Sequence, residues 1–119
     1  MTLFDVTQVT LESAIRGAAA RQTALASNVA NANTPGYRRQ DVDFQGALKS
    51  AMSSGDKDAI EHVSFSSSTD GSSPMQADGN SVDIDVENAS LAKNGLEYEA
   101  LVSVTTARIA ILKSAMGVQ

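Results

Sequence analysis

The sequence predicts a mainly α-helical protein in which two long helices, at the N- and C-terminal ends of the chain, pack as a coiled-coil-like hairpin. Apolar residues recur at steps of three and four in both terminal arms, which is the coiled-coil period. The net charge of −5 falls entirely within residues 49–85, and the residues on either side of this segment each sum to zero charge. At 119 residues the chain has room for one domain, with a turn, an extended segment and a flexible polar insert between the helices.

The N-terminal arm, residues 1–33, is predicted to be one helix whose apolar stripe is interrupted by Gln22. The stripe consists of Leu11, Ile15, Ala18, Leu25, Val29 and Ala32. Further alanines make this arm apolar on more than one face, which indicates contact with several neighbours. Pro35 disfavours a helical conformation at Thr34, so the helix should end near residues 31–33.

A tight turn is predicted directly after this helix. The sequence TPGY at residues 34–37 places Pro second and Gly third, the pattern of a type II turn, because Gly tolerates the positive φ required there. Residues 34–48 are therefore predicted to form the turn, an extended stretch and the start of a short helix. Asp43 is the expected N-cap of that helix.

The middle of the chain, residues 49–81, is predicted to be a polar loop or a disordered insert. It contains ten serines and few apolar residues. Such a composition supplies little surface for burial and rarely forms regular structure. No role for the insert follows from its residues.

The C-terminal arm, residues 82–119, is predicted to be an extended entry followed by the second long helix, with Asp83 or Asp85 as N-cap. Its stripe consists of Leu91, Gly95, Tyr98, Val102, Thr105, Ile109, Leu112 and Met116. A two-helix hairpin buries only one stripe per helix, so its core is thin. We therefore expect other chains to supply further burial.

Composition argues against several classes of protein. The absence of Cys excludes a thiolate metal site and a catalytic thiol. A pI near 4.6 is the wrong sign for binding nucleic acid through phosphate contacts. The chain has no apolar run of the length that spans a membrane, and its N-terminus lacks the features of a secretory signal peptide.

The sequence predicts no catalytic or metal-binding site. His62 is the single histidine and lies in the polar insert, where nothing would position it for catalysis. The acidic run at residues 78–87 differs from a calcium-binding loop, because the required Gly and the final Glu are missing. We therefore expect neither an enzyme nor a protein that binds a cofactor.

Two segments resemble a known family. ASNVANANTPGYRRQDVDF, at residues 26–44, resembles the N-terminal signature of flagellar axial proteins, and its RRQDVDF run is similar to proximal rod proteins of the FlgB type. DGNSVDIDVENASLAKNGLEYEA, at residues 78–100, resembles the entry of those rod proteins into their C-terminal helix. The two matches lie in the N- and C-terminal arms, which together make up about two thirds of the chain.

The resemblance implies a structural subunit of the flagellar basal-body rod, in the periplasmic space, exported by the flagellar type III apparatus without a cleavable signal peptide. Its partners would be copies of itself, other rod proteins, and membrane-ring and adaptor proteins at the rod base, with no nucleic acid, cofactor or direct membrane span. The turn that contacts neighbouring subunits would comprise Asn28, Asn31, Asn33, Thr34, Pro35, Gly36, Tyr37 and Arg38. The two apolar stripes would form the inner helical layer and its subunit interfaces.

Three alternatives remain at this point. A rod subunit of the FlgC type is the nearest rival, and it normally differs in the segment after the turn, residues 38–44. A secreted helical-hairpin module of the WXG type would share the length and helicity, but the chain has no Trp. A small hydrolase would need a nucleophile and a base that the sequence does not offer.

Overall fold

The computed structural model describes residues 5–117 and shows four helices and two short strands within them. In chain order these are α1 (Val6–Ala30), β1 (Gln40–Asp41), α2 (Phe44–Ser53), α3 (Lys57–Glu61), β2 (Ser68–Thr69) and α4 (Ile84–Ala115). Helices α1 and α4 pack together, which confirms the predicted two-helix architecture. The molecule is elongated, 62 × 30 × 14 Å. The predicted arms also include residues 1–4 and 118–119, which lie outside the described residues.

Helix α1 begins and ends through local capping. The side chain of Asp5 accepts a hydrogen bond from Gln8 N (3.0 Å), and the helix ends at Ala30, close to the predicted end. The turn that follows has the predicted geometry, with φ +74° at Gly36 and a hydrogen bond from Tyr37 N to the Thr34 carbonyl (3.2 Å). A positive φ at the third position is the mark of a type II turn.

Helix α2 starts at the predicted cap and crosses α1 closely. Asp43 accepts a hydrogen bond from Gly46 N (3.0 Å). Phe44 packs over Gly17 of α1, where an added Cβ would lie only 2.6 Å from the Phe44 Cβ. The close approach of the two helices therefore requires glycine at position 17.

The polar insert differs from the predicted loop, because it contains α3 and β2. Ile60 of α3 is 1% exposed and joins a cluster with Val9, Ala14 and Leu48. Strand β2 pairs antiparallel with β1. The reason is that α1 is apolar on several faces, so a few apolar side chains of the insert find a surface on which to dock.

Asp83 is the N-cap of helix α4, as predicted, and its side chain accepts hydrogen bonds from Asp85 N and Val86 N. The face that packs on α1 is only partly the predicted stripe. Its buried residues are Glu87, Asn94 and Thr105, while Val102 and Ile109 of the predicted stripe are 37% and 39% exposed. Apolar spacing alone does not predict how α4 is rotated about its axis against α1, because polar residues occupy part of the contact.

Candidate functional site

Asn28 is fully buried at the junction between the two family-like segments, residues 26–44 and residues 78–100. Its Nδ2 donates to the Gln40 carbonyl (2.7 Å) and to Glu87 Oε2 (3.1 Å). Its Oδ1 accepts from Gln40 N (2.9 Å) and from the Tyr37 hydroxyl (3.1 Å). One side chain thus joins α1, the segment after the turn and the start of α4.

Arg39 is the charged centre of the same junction and is 7% exposed. Its Nε donates to Glu87, which is fully buried, and its two terminal nitrogens donate to Asp70 (2.9 Å) and Asp41 (3.2 Å). Burial acts to lower the pKa of Arg39, but the hydrogen bond and charge of Glu87, followed by those of Asp41, outweigh it and leave the pKa above its usual value. The guanidinium therefore holds three carboxylates from three parts of the chain.

Two of these carboxylates are held in the ionised form. Burial acts to raise the pKa of Asp41, but Arg21 and the Val42 amide, which hydrogen-bond to it, and the charges of Arg21 and Arg39 leave the pKa below its usual value. The hydroxyl and amide of Ser72 lower the pKa of Asp70 to about 2. General acid–base catalysis near neutral pH requires a pKa close to the working pH. This arrangement is suited to clamping segments together.

Asn80 connects the second family-like segment to the end of α1. It is fully buried, and its Nδ2 donates to the carbonyls of Asn31 (2.9 Å) and Thr34 (2.7 Å). Backbone hydrogen bonds from Gly36 N to the Asp78 carbonyl and from Ser81 N to the Tyr37 carbonyl, both 3.0 Å, extend the contact. The turn after α1 is therefore held by residues more than 40 positions later in the chain.

The predicted turn residues fall into three groups, exposed, half-buried and, for Asn28 alone, fully buried. Exposed positions are Asn33, Thr34, Pro35, Gly36 and Arg38, and half-buried positions are Asn31 and Tyr37. Asn28 is inaccessible in this fold, and its hydrogen-bonding groups are used within the chain, so its role is intramolecular. No role was predicted for Arg39, Asn80 or Glu87, although all three lie in the two family-like segments. Their spacing gave no sign that they meet.

An apolar surface runs along α4 and its C-cap. The exposed large side chains are Ile84, Val86, Leu96, Tyr98, Val102, Val104, Ile109, Ile111 and Met116. A groove of about 650 Å³ between α1 and α4 is lined mainly by Leu11, Val104, Ile111 and Leu112. The predicted stripe of α1 lies deeper, with Ala18 and Leu25 fully buried and Leu11, Ile15 and Val29 half-buried. On α4, Leu91 and Leu112 are half-buried.

Between residues 5 and 117, no cluster of three or more His, Asp or Glu side chains has a geometry that could hold a metal ion. His62 is exposed, and its Nδ1 lies 3.0 Å from the Asp58 carbonyl. None of the helices in this part of the chain is long and apolar enough to cross a membrane.

Comparison with known proteins points to one family. Residues 10–38 match the family described as "Flagella basal body rod protein". The chain is 34% identical to the flagellar basal body rod protein FlgB of Bacillus subtilis over 125 residues, covering 98% of this chain and 97% of the relative. It is 34% identical to FlgB of Escherichia coli over 116 residues, covering 82% and 83%, and 33% identical to FlgB of Salmonella typhimurium over 111 residues, covering 78% and 80%. The chain therefore belongs to the FlgB family of flagellar basal-body rod proteins.

Proposed function

We propose that this chain, as a structural subunit of the flagellar basal-body rod, polymerises through α1 and α4 with copies of itself and with other rod proteins. The observation that carries the proposal is the surface of α4. Large apolar side chains are exposed along most of this 32-residue helix, although only one of its faces packs on α1. A helix whose apolar surface extends well beyond one contact is normally buried on more than one side.

The exposed side chains of α4 form two stripes, one on each side of its contact with α1. Because a helix turns by about 100° per residue, Val102 and Ile109 lie about 80–100° to one side of Leu101, and Val104 and Ile111 lie about 60–80° to the other. Leu101 itself packs into the core against α1. Each subunit can therefore contact neighbours on two sides, and unlike surfaces that pair head to tail extend into a polymer.

The exposed turn provides a further contact surface at the other end of α1. Asn33, Thr34, Pro35 and Arg38 project from a turn whose backbone is held by Asn80. A fixed backbone reduces the entropy that would be lost when a neighbouring subunit binds the turn. We assign the turn, together with the two stripes, to subunit interfaces.

The wider role follows the family resemblance. Export through the flagellar type III apparatus would deliver the subunit to the periplasmic space, and membrane-ring and adaptor proteins at the rod base would be its first partners. The ion pairs of the junction agree with a structural rather than a catalytic role, since Asp41 and Asp70 are held ionised by a lowered pKa.

The proposal is tested by charging the exposed stripes. Ile109→Asp and Ile111→Asp place a carboxylate at positions that are 39% and 69% exposed in the subunit, so the fold should change little. In an assembled rod the same carboxylate would be buried without a partner, which is strongly unfavourable. We expect both variants to be exported but absent from purified basal bodies, and cells carrying them to lose swimming.

Thr106→Asp is the matched control, because Thr106 is exposed on α4 and lies outside both stripes. It should be incorporated and should support swimming. Immunoblots of cells, culture supernatant and purified basal bodies separate a failure of export from a failure of assembly. Wild-type amounts of the Ile109→Asp and Ile111→Asp variants in basal bodies would refute the assigned interfaces.

A further inference from the structure

We propose that three polar residues of α4, Glu87, Asn94 and Arg108, determine which face of α4 packs on α1 and in which register. They are called the polar ladder below. The proposal concerns the hairpin within one subunit. Its consequence for assembly, that the apolar stripes are kept outward, rests on the proposed function.

The polar ladder follows the helical contact from one end to the other. Its members are spaced by seven and by fourteen residues, so they lie in one row that includes Leu101. Glu87 accepts a hydrogen bond from Asn28 near the C-terminal end of α1 (3.1 Å). Arg108 donates to both carboxylate oxygens of Asp5 at the N-terminal end (2.6 and 2.8 Å).

Asn94 occupies the middle of the ladder and meets the polar interruption in the stripe of α1. It is fully buried, and its Nδ2 donates to Gln22 Oε1 (2.8 Å) and to the Ala18 carbonyl (2.9 Å). The two polar breaks, Gln22 in α1 and Asn94 in α4, therefore face each other. A shift by one heptad would move them about 10 Å apart.

The ladder is not optimised for stability. Asn94 Oδ1 and Arg108 Nε are buried and have no hydrogen-bond partner among the described residues. A buried polar atom without a partner is destabilising, so an apolar side chain would pack at less cost. In coiled coils a single buried Asn can specify register at the expense of stability.

The apolar side chains on either side of the contact explain why polar residues are needed to fix which face of α4 packs on α1. Val102 and Ile109 on one side, and Val104 and Ile111 on the other, could each pack against α1 as well as Leu101 does. Apolar packing alone is not directional and does not distinguish these faces. The ladder distinguishes them, because only one rotation and register brings all of its members to their partners.

Pairs of introduced cysteines report the register of the two helices. No native cysteine competes with them, because the sequence contains none. Leu11→Cys is combined with Val104→Cys, which lines the same groove, with Ile111→Cys one heptad further along, or with Ser103→Cys on the outer side of α4. Disulfide rates are compared at a fixed oxidant concentration. With the ladder intact we expect the first pair to form about tenfold faster than either other pair, since a disulfide requires close Cβ atoms.

Two members of the ladder are then replaced, by Asn94→Leu together with Arg108→Leu, while Glu87 and its buried pair with Arg39 stay in place. We expect unchanged helical content by circular dichroism and a rate ratio reduced to about threefold or less, because several registers become accessible. Asn88→Leu together with Lys113→Leu adds similar apolar side chains at exposed positions and should keep the tenfold ratio.

Three results would overturn the proposal. The first is a tenfold preference that survives the replacement of Asn94 and Arg108, and the second is equal rates for all pairs in the parent chain. The third is a loss of helical content in the ladder variant, since the ladder would then supply stability and not register. All measurements use the isolated subunit, so a failure here is distinct from a failure of rod assembly.

Discussion

The two ends of the molecule use the same kind of helix in opposite ways. At the junction, near the C-terminal end of α1 and the start of α4, the buried contacts are polar, and Asn28, Arg39 and Glu87 satisfy one another within the chain. Along the second half of α4, large apolar side chains such as Ile111 are exposed, at 69% in that case. The junction therefore buries polar contacts within the subunit, whereas the second half of α4 exposes apolar surface of the kind that marks an interaction site.

The contrast shows that the buried side chains of this protein are not simply its apolar ones. Glu87 and Asn94 are both 0% exposed, while Val104 and Ile84 are about half exposed. Such a distribution would be unfavourable in a subunit that worked alone. It is expected of a subunit whose final environment is a larger assembly.

The largest effect should come from breaking the junction at its charged centre. Glu87→Ala leaves the buried guanidinium of Arg39 without its nearest partner, and removal of one member of a buried pair typically destabilises by about 3–5 kcal/mol. Urea unfolding followed by circular dichroism measures the loss. Glu99→Ala removes an exposed carboxylate from the same helix and should change the free energy of unfolding by less than about 0.5 kcal/mol. Equal effects of the two variants would show that the junction is not the stabilising region.

Substitution of two glycines by alanine compares a closely packed position of the helices with an open one. Gly17→Ala would place a Cβ 2.6 Å from the Phe44 Cβ, and overpacking of this kind destabilises by about 1–3 kcal/mol. Gly95→Ala meets nothing within 4 Å in α4 and should stabilise the isolated subunit by about 0.5–1 kcal/mol, because Ala restricts the unfolded chain. Thermal or urea unfolding of the two variants should therefore give shifts of opposite sign. Shifts of the same sign would contradict the close packing of α1 and α2.

The turn after α1 should depend on its backbone and not on side-chain packing. A Cβ at Gly36 would meet nothing within 4 Å, but φ is +74°. Gly36→Val is therefore expected to introduce strain of about 1–3 kcal/mol, whereas Gly36→Asn, which tolerates this region, should cost less. Unfolding measurements on the subunit test the strain. Basal-body fractions test whether the Val variant is exported but not incorporated, and equal swimming of both variants would remove this turn from the interface.

The smallest effect should be the dependence of the junction on pH. The pKa of Asp70 is lowered to about 2, below the usual value near 4 of an unfolded chain. Its contribution to stability is therefore fully present above about pH 4 and is lost as the pH falls toward 2. Asp70→Asn should make the free energy of unfolding fall less steeply between pH 4 and pH 2, and Ser72→Ala should act in the same direction but more weakly. An unchanged slope in Asp70→Asn would mean that the pKa of Asp70 is not lowered in the folded subunit.

Local signals predicted much of this fold. Pro35 and Gly36 predicted the turn, Asp43 and Asp83 predicted the starts of α2 and α4, and apolar spacing predicted both long helices. Each of these signals acts over a few residues, through backbone geometry or capping. Such signals do not depend on where the rest of the chain lies.

The contacts that were not predicted all join distant residues. Ile60 docks on α1 from a segment whose composition predicted a loop, and Ser13 Oγ donates to its carbonyl (2.8 Å). Glu87 meets Asn28 across 59 positions of sequence. Neither contact could be predicted from a periodic sequence pattern, because a single buried polar or apolar residue produces no repeat.

The two helical arms, the type II turn, the helix caps and the resemblance to flagellar rod proteins could all be predicted, since short runs of residues encode them. Which face of α4 lies against α1 could not be predicted, because it depends on contacts between the arms. Apolar residues lie in the contact and also on both sides of it, so their spacing is compatible with several rotations. The choice depends on where Glu87, Asn94 and Arg108 find partners on α1 and beside it, and this is settled only when the two arms meet.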